Sequence, residues 1–396
     1  MKLKRSNILP ALLFLSVLSL PILVSYGYSL TKNSHLKRFV SSNLAGITVN
    51  TDSKTLNRKN WFNHKYSNSL NTWFSENIPF REYMVRLNNQ LYFSLFQKSY
   101  MYDQTLIVGK QDQLYEIAYI YGYLGLNPPM REDAKQRLAQ NIREVQELFR
   151  RRGILFYVLV TPNKAYIYPE YIPDRFKVRP LPTDRNYDSM SKLFAANGTN
   201  YVDGLKILQD AKKSSGQELF PALGTHWNTL GAGLATTELM DRIGGSLGKP
   251  VYNIKAKVPF AQDPAPNADK DLYSLCNLLD KKDGFASIDP VYETIGSRGA
   301  LKLKVALVGG SFTTCLMYLM VQYGLVSELD RYYYYTLGFQ TFPEDKTRTA
   351  NFSRIWGPKD FVDKDVVILE INANNFDGSH VSMFLEDCQM YLNPSY

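Results

Sequence analysis

The chain has 396 residues, 45% of them apolar and 13% aromatic, which supports a well-cored globular protein of one large domain or two ordinary ones and excludes a disordered chain. Its 46 Lys and Arg against 37 Asp and Glu leave a net charge of +9, an excess compatible with an anionic polymer or a lipid surface. No dense basic run carries interleaved aromatics, so nucleic acid is not an expected partner.

The first element is set by hydropathy. Lys2, Lys4 and Arg5 precede the uncharged stretch from Ile8 to Leu30, which is long enough to span a bilayer, with a basic flank that favours a cytoplasmic N-terminus. Ser25 and Gly27 would also suit signal cleavage after Gly27. Residues 1–30 are therefore read as a signal-anchor or signal peptide, and residues 31–396 as one exported domain, periplasmic or otherwise extracytoplasmic and anchored to the cytoplasmic membrane.

Apolar residues at helical spacing from Tyr83 to Phe96 predict a helix packed on the main body. Arg131 to Gly153 is an amphipathic helix with Gly153 as its stop, and Ile154 to Val160 reads as a buried strand closed by Thr161-Pro162. A helix follows near Tyr187 to Ala195, a short strand at Tyr201-Val202, and a helix from Leu205 to Lys212. Asn228 or Thr229 caps a further helix reaching about Ile243. Leu301 to Val308 is a strand, Ser311 to Tyr323 a helix, and "RYYYYTL" and "DVVILEI" are strands. Alternation of this kind implies an α/β fold with a mainly parallel sheet flanked by helices. Gly244 to Ala300, rich in Pro and Asp, shows no sustained periodicity.

Two places have chemical content. In "VALVGGSF" a buried strand ends at Val308, two glycines turn the chain, and Ser311 opens a helix, which lifts a hydroxyl above the C-terminal edge of the sheet. The N–H groups of that helix start favour developing negative charge. The plain alternative is a tight turn with an N-cap serine. A serine needs a base within hydrogen-bond reach, and among four histidines only His226, in "THWNTLGA", occupies a comparable loop-to-helix position. Trp227 reads as core packing that positions it. Cys276, Cys315 and Cys388 allow at most one intramolecular disulfide, and neither they nor the histidines form a metal pattern, so no metal is expected.

"TPNKAYIYPEYIP", "THWNTLGA" and "VGGSF", with "SENIPFREYMVRLNNQLYFSLF" upstream and "VVILEIN" downstream, occur in one order from about Ser75 to Asn372. Together they resemble the exported alginate O-acetyltransferase family (AlgJ/AlgX type), whose catalytic domain is SGNH-hydrolase-like. The length of the chain leads to the expectation of a single-domain member, without the extra carbohydrate-binding module of some members. The resemblance implies that Ser311 is the nucleophile, acetylated as an ester, and that His226 is its base. It also implies an exported polysaccharide as substrate and a membrane-bound O-acyltransferase as acetyl donor. No cofactor is expected, since no phosphate loop for coenzyme A is visible.

The family's orienting aspartate, two residues before the histidine, is Gly224 here, and its Gly-Asp-Ser is here Gly309-Gly310-Ser311. A Ser–His dyad is expected, or a triad completed by Asp271 or another acid. The backbone N–H of Ser311 would form part of the oxyanion hole, joined by the Asn372 amide unless that side chain caps its own loop. Lys164 and Tyr166 follow the first sheet strand and either face the substrate or are a solvated lysine and a packed tyrosine. Tyr332 to Tyr335 alternate in direction, so at most two of them can stack on sugar rings. Two other functions fit the same residues: a polysaccharide acetyl esterase, with water as acceptor, or a catalytically silent polysaccharide-binding scaffold of an export machine.

Overall fold

The computed structural model describes residues 8–40, 43–46, 65–99, 105–177, 180–257, 269–280, 288–343, 346–349 and 361–392. The basic flank Lys2, Lys4 and Arg5 lies outside the described residues. The chain divides into two compact units, residues 105–272 with 282–396, and residues 1–104 with 273–281.

The larger unit is built on a seven-stranded sheet. Its parallel strands are β3 (Leu155–Thr161), β4 (Tyr201–Asp203), β7 (Leu303–Gly309), β8 (Val326–Tyr333) and β11 (Val366–Asn372). In space they run β8, β7, β11, β3, β4, and the antiparallel strands β9 (Gly338–Phe342) and β10 (Lys346–Thr349) extend the β8 edge. β3, β7 and β11 are continuous apolar runs because a parallel sheet is covered on both faces. Phe156 of β3 stacks on Phe149 and Phe384, while the Tyr157 hydroxyl beside it donates to the Arg242 carbonyl, so consecutive residues reach opposite helical layers.

One layer holds α6 (Glu132–Arg150), α8 (Asn186–Ala196) and α13 (Ser379–Leu392); the other holds α9 (Gly204–Ser215), α10 (Thr229–Leu247) and α12 (Thr313–Gln322). α6 shows the underlying pattern. Ala139, Ile142, Val145 and Phe149 recur at helical spacing on its buried face, Glu132 and Asp133 lie in the first turn, and Gly153 takes a φ of 73° just beyond the end. α10 begins where the Asn228 side chain accepts the Gly231 N–H at 2.9 Å. Short pieces complete the unit: the hairpin of β1 (Leu106–Val108) and β2 (Leu114–Glu116), α5 (Ile117–Leu124), α7 (Lys164–Ile167), and the ribbon of β5 (Asn253–Ala256) and β6 (Tyr292–Ile295).

The tyrosine run departs from expectation. β8 ends at Tyr333, and Tyr334 and Tyr335 turn the chain with φ of 44° and 62°. The Tyr334 N–H returns to the Gly309 carbonyl at 2.8 Å, and the Tyr335 hydroxyl donates to Asp387.

The smaller unit contains α1 (Ile8–Thr31), α2 (Ser34–Val40), α3 (Lys65–Asn77) and α4 (Arg81–Phe96). Within α1, Leu12–Thr31 is long and apolar enough to cross a membrane and is not buried. α4 forms where the periodicity places it, but its apolar stripe is not the face that is buried. Met84, Leu87, Leu91 and Leu95 are exposed, whereas Asn89 is buried.

Candidate active site

Three strand ends of the sheet converge on one edge. β7 runs into the Gly309-Gly310-Ser311 turn, and the buried Glu370 of β11 shapes it. Glu370 accepts the Gly310 N–H at 2.7 Å and the Thr161 hydroxyl from β3. Gly309 permits this approach, since a Cβ there would lie 2.5 Å from the Glu370 Cβ. From the other side Arg331 donates to the Thr313 hydroxyl at 2.8 Å and reaches the Gly310 carbonyl. The turn is thus held by a buried carboxylate and a buried guanidinium. Burial pushes the Glu370 carboxyl above its usual pKa, against its hydrogen bonds and the Arg331 charge.

His226 enters from the loop before α10, and its Nε2 lies 2.8 Å from Ser311 Oγ. Its neighbours fix the ring. Phe312 meets the imidazole edge-on with centroids 5.1 Å apart, and Trp227, buried, stacks edge-on against Phe312 and donates to its carbonyl. Trp227 therefore sits where the sequence places it, as packing behind the histidine.

The partner of the other ring nitrogen is Asp269. Its Oδ2 lies 2.8 Å from Nδ1 and also accepts the His226 backbone N–H at 2.9 Å, so the carboxylate grips ring and backbone together. Asp269 Oδ1 accepts the Asp271 N–H, and Asp271 Oδ1 accepts the Thr225 N–H. Asp271, the acid singled out in the sequence, stays 3.8 Å from Nδ1. Ser311, His226 and Asp269 thus form a continuous hydrogen-bonded line.

Gly224 explains how an acid from a distant segment reaches this place. A Cβ at 224 would lie 2.4 Å from the Asp269 carbonyl oxygen and 2.7 Å from its Oδ2. The missing side chain is the space that Asp269 fills. No sequence signal marked Asp269, because it lies in the middle of the Pro- and Asp-rich stretch that has no periodicity.

The electrostatics follow from this crowd of acids. Burial alone lowers the His226 pKa, but the hydrogen bond and charge of Asp269, with Asp271 and Glu116, outweigh it and raise the value above that of an ordinary histidine. Burial raises the Asp269 carboxyl, yet its bonds from His226 hold it below the usual range. Asp271 is pushed up by burial and by the Asp269 charge. His226, Asp269 and Asp271 also bring ligand atoms within 4.8 Å of one another, the spacing of a cation site. However, Nδ1 is hydrogen-bonded to Asp269 and Nε2 to Ser311, so a cation there would have to break that line.

The other expected site residues are placed differently. Lys164 is 1% exposed and donates to the Pro221 and Ala222 carbonyls at 2.7 Å each, from beneath the loop that leads to His226. Burial lowers its pKa to about 7. It is neither solvated nor turned toward an open face. Tyr166 is buried against Tyr123 and Tyr187, with the Arg185 guanidinium 4.9 Å over its ring. Asn372 donates to the Pro162 carbonyl at 3.1 Å and accepts the Asn374 N–H, so its contacts match the loop-capping alternative. The group that approaches the turn instead is Tyr334, whose pKa is raised by burial and lowered in part by Ser311. A Cβ on Gly310 would sit 3.2 Å from the Tyr334 ring and hydroxyl.

Comparison with known proteins agrees with this architecture. Residues 109–333, more than half of the chain, match the family described as the SGNH hydrolase-like domain, acetyltransferase AlgX. The chain is 26% identical over 202 residues to the probable alginate O-acetylase AlgJ of Pseudomonas fluorescens, covering 50% of this chain and 46% of that protein. It is 27% identical over 264 residues to the protein of the same name from Pseudomonas syringae pv. tomato, covering 63% and 64%. The chain therefore spans between about half and two thirds of the length of these relatives. Among solved structures, the O-acetyltransferase domain of Pseudomonas putida AlgJ matches with a TM-score of 0.43 and 18% identity, covering 71% of this chain and 98% of that one. With β3, β4, β7, β8, the Ser311 turn and the histidine loop inside the matched span, the chain belongs to the AlgX family of SGNH hydrolase-like acetyltransferase domains.

Proposed function

We propose that this protein transfers acetyl groups to hydroxyls of an exported polysaccharide through an acetyl ester on Ser311. The observation that carries the reading is the unbroken line from Ser311 Oγ through both His226 nitrogens to Asp269, with separations of 2.8 Å and 2.8 Å. In the first half-reaction His226 Nε2 takes the Ser311 proton as Oγ attacks the donor's acetyl carbonyl. The tetrahedral intermediate collapses, and the leaving group departs with the proton from His226. In the second half-reaction a sugar hydroxyl gives its proton to His226 and attacks the ester, and Ser311 recovers the proton as the acetyl group leaves. Asp269 keeps the ring in the tautomer that accepts at Nε2 and stabilises the imidazolium in both halves.

The oxyanion of each intermediate faces the start of α12. The Gly310 N–H is bonded to Glu370, so the donor assigned here is the Ser311 N–H, with the Tyr334 hydroxyl beside the turn as the second. The names of the relatives support acetylation of alginate or a similar polymer. The apolar α1 supports an extracytoplasmic domain held at the membrane, where a membrane-bound O-acyltransferase would supply acetyl groups. The complete triad geometry favours catalysis over the silent scaffold.

Ser311→Ala and His226→Ala test the reading directly. Each is expected to abolish polymer acetylation in cells while the protein remains folded and exported. Purified wild type given an activated acetyl ester should acetylate the peptide that carries Ser311 and pass the group to added oligosaccharide. Unchanged acetylation in both variants would overturn the proposal. Turnover of the ester that oligosaccharide does not divert, with rising polymer acetylation in the variants, would instead establish an esterase.

A further inference from the structure

α4 is an inverted helix. A helix on the outside of a soluble protein turns its apolar stripe to the core and its polar side to water. Here Met84, Leu87, Leu91 and Leu95 are 63%, 46%, 50% and 68% exposed and lie on one face. The opposite face is the one that packs, and it carries Glu82, Arg86 and Asn89 beside Phe93, which meets Tyr273 edge-on. Asn89 is buried and donates to the Cys276 carbonyl at 2.8 Å. Arg86 donates to the Leu278 carbonyl at 3.0 Å and pairs with Glu82 at 2.9 Å. The inward polar face is thus anchored by specific hydrogen bonds, and rotating the helix to hide its leucines would break them.

The surroundings within the same compact unit indicate what covers the leucines. α1 carries the apolar span Leu12–Thr31, with Tyr26, Tyr28 and Lys32 at its end, where interfacial aromatics and cations collect. Two residues later α2 begins, contributing the exposed Lys37 and Arg38, a charge pattern suited to anionic headgroups. α2 is joined directly to the start of α4: the Phe80 N–H donates to the Phe39 carbonyl at 2.8 Å, and the Phe39 ring packs at a tilt against Phe80 and Tyr83, with centroids 4.9 Å and 5.8 Å away. A seven-residue helix is only ~10 Å long, so the start of α4 stays close to the end of the span.

We infer that the Met84–Leu87–Leu91–Leu95 face of α4 lies in the interfacial layer of the lipid bilayer, as a second membrane contact beside α1. The inference rests on reading α1 as a retained membrane span. At ~24 Å, α4 is the length of an interfacial helix lying in the membrane plane. The unit would then grip the membrane at two points.

The test uses the full chain in vesicles of phosphatidylethanolamine and phosphatidylglycerol with no other protein present. The three native cysteines are replaced by alanine, and single nitroxide labels are placed along residues 84–95, at Leu18 in the span, and at exposed Gln136 on α6 as an aqueous reference. Oxygen accessibility relative to a water-soluble nickel complex is expected to peak at 84, 87, 91 and 95 and to fall at 86 and 90. In the otherwise native chain, Leu91→Trp should add emission that loses about half its intensity with brominated acyl chains; this keeps the test standing if the cysteine-free chain folds poorly. A label at 91 as aqueous as that at 136, with the Leu18 label in lipid, overturns the inference and leaves a protein partner for this face. Spin–spin broadening between copies at 91 overturns it in favour of self-association. Aqueous signals at both 18 and 91 would remove the anchor reading as well.

Discussion

The orienting carboxylate gives the sharpest prediction. Asp269→Asn keeps the shape of the side chain but removes the charge 2.8 Å from Nδ1, leaving Asp271 at 3.8 Å as the nearest remaining carboxylate there. At an effective dielectric of about 20, a unit charge pair is worth ~6 kcal/mol at the first distance and ~4 kcal/mol at the second, before solvent screening. The side chains of His226 and Asp269 are 27% and 24% exposed, so water reduces the first figure. An asparagine can also donate to Nδ1, which places the proton on Nε2 and points it at Ser311, the wrong tautomer for a base. A serine protease loses about 10⁴ in rate from the equivalent change. With Asp271 still nearby, the expected loss here is about 10³-fold in kcat/KM, or ~4 kcal/mol of transition-state stabilisation.

The pH profile provides an independent readout of the same substitution. The active histidine is neutral, so activity falls as pH drops through its pKa. The surrounding acids raise that pKa, and the acid limb in the wild type should therefore lie above the ~6.5 of an ordinary histidine. Removing the Asp269 charge lowers it, so the limb should move to lower pH even as the plateau falls. Single-turnover acetylation of Ser311 by an activated ester, followed across pH, measures both quantities. A rate within threefold of wild type with an unmoved limb would refute the reasoning. So would a larger loss from Asp271→Asn than from Asp269→Asn.

Three further outcomes follow from the same geometry. Gly224→Ala should displace Asp269, whose carbonyl would be 2.4 Å from the new Cβ, and cost about 10²-fold in kcat/KM; combined with Asp269→Asn the losses should not add, as a double-mutant cycle will show. Tyr334→Phe removes one proposed oxyanion donor and should lower kcat about 10²-fold with little change in KM or in thermal stability, as steady-state kinetics and a melt will record. Lys164→Met removes two buried charge-assisted hydrogen bonds at 2.7 Å and should destabilise the catalytic unit by about 2 kcal/mol in denaturant titrations.

The core of the parallel sheet was legible because its strands are buried on both faces and so appear as uninterrupted apolar runs, as at Leu155 to Thr161 and Val366 to Asn372, whereas the more polar strands β9 and β10 at the sheet's edge were not. α6 and α10 were legible from periodicity and caps. Ser311 and His226 could be found because each stands two or three residues before a helix, after a strand or loop, a local feature that the chain states openly. What remained hidden depends on contacts across the sequence. The Tyr334-Tyr335 turn looks like strand by composition, since only the pull of the Gly309 carbonyl on the Tyr334 N–H and the packing of Tyr335 hold the two at positive φ. Lys164 reads as a surface lysine until the carbonyls of residues 221 and 222 close over it. α4 has core periodicity, and hydrophobic spacing alone does not tell which environment receives the apolar side.

The two glycines that break the family pattern bear on how such a site should be judged. Position 224 and Asp269 occupy one volume, since a side chain at 224 would begin inside the Asp269 carboxylate's place. The absence of an acid at one position and its presence at the other are therefore a single structural fact. What catalysis requires is a carboxylate oxygen within hydrogen-bond distance of Nδ1 on the side away from serine, and the geometry is indifferent to which segment provides it. Gly310 is parallel: without a side chain there, the Tyr334 ring and hydroxyl come up against the turn. Restoring the family residue at either glycine would then crowd out the group that has taken over its space. A gain of activity from Gly224→Asp or Gly310→Asp alone would mean that Asp269 and Tyr334 are bystanders.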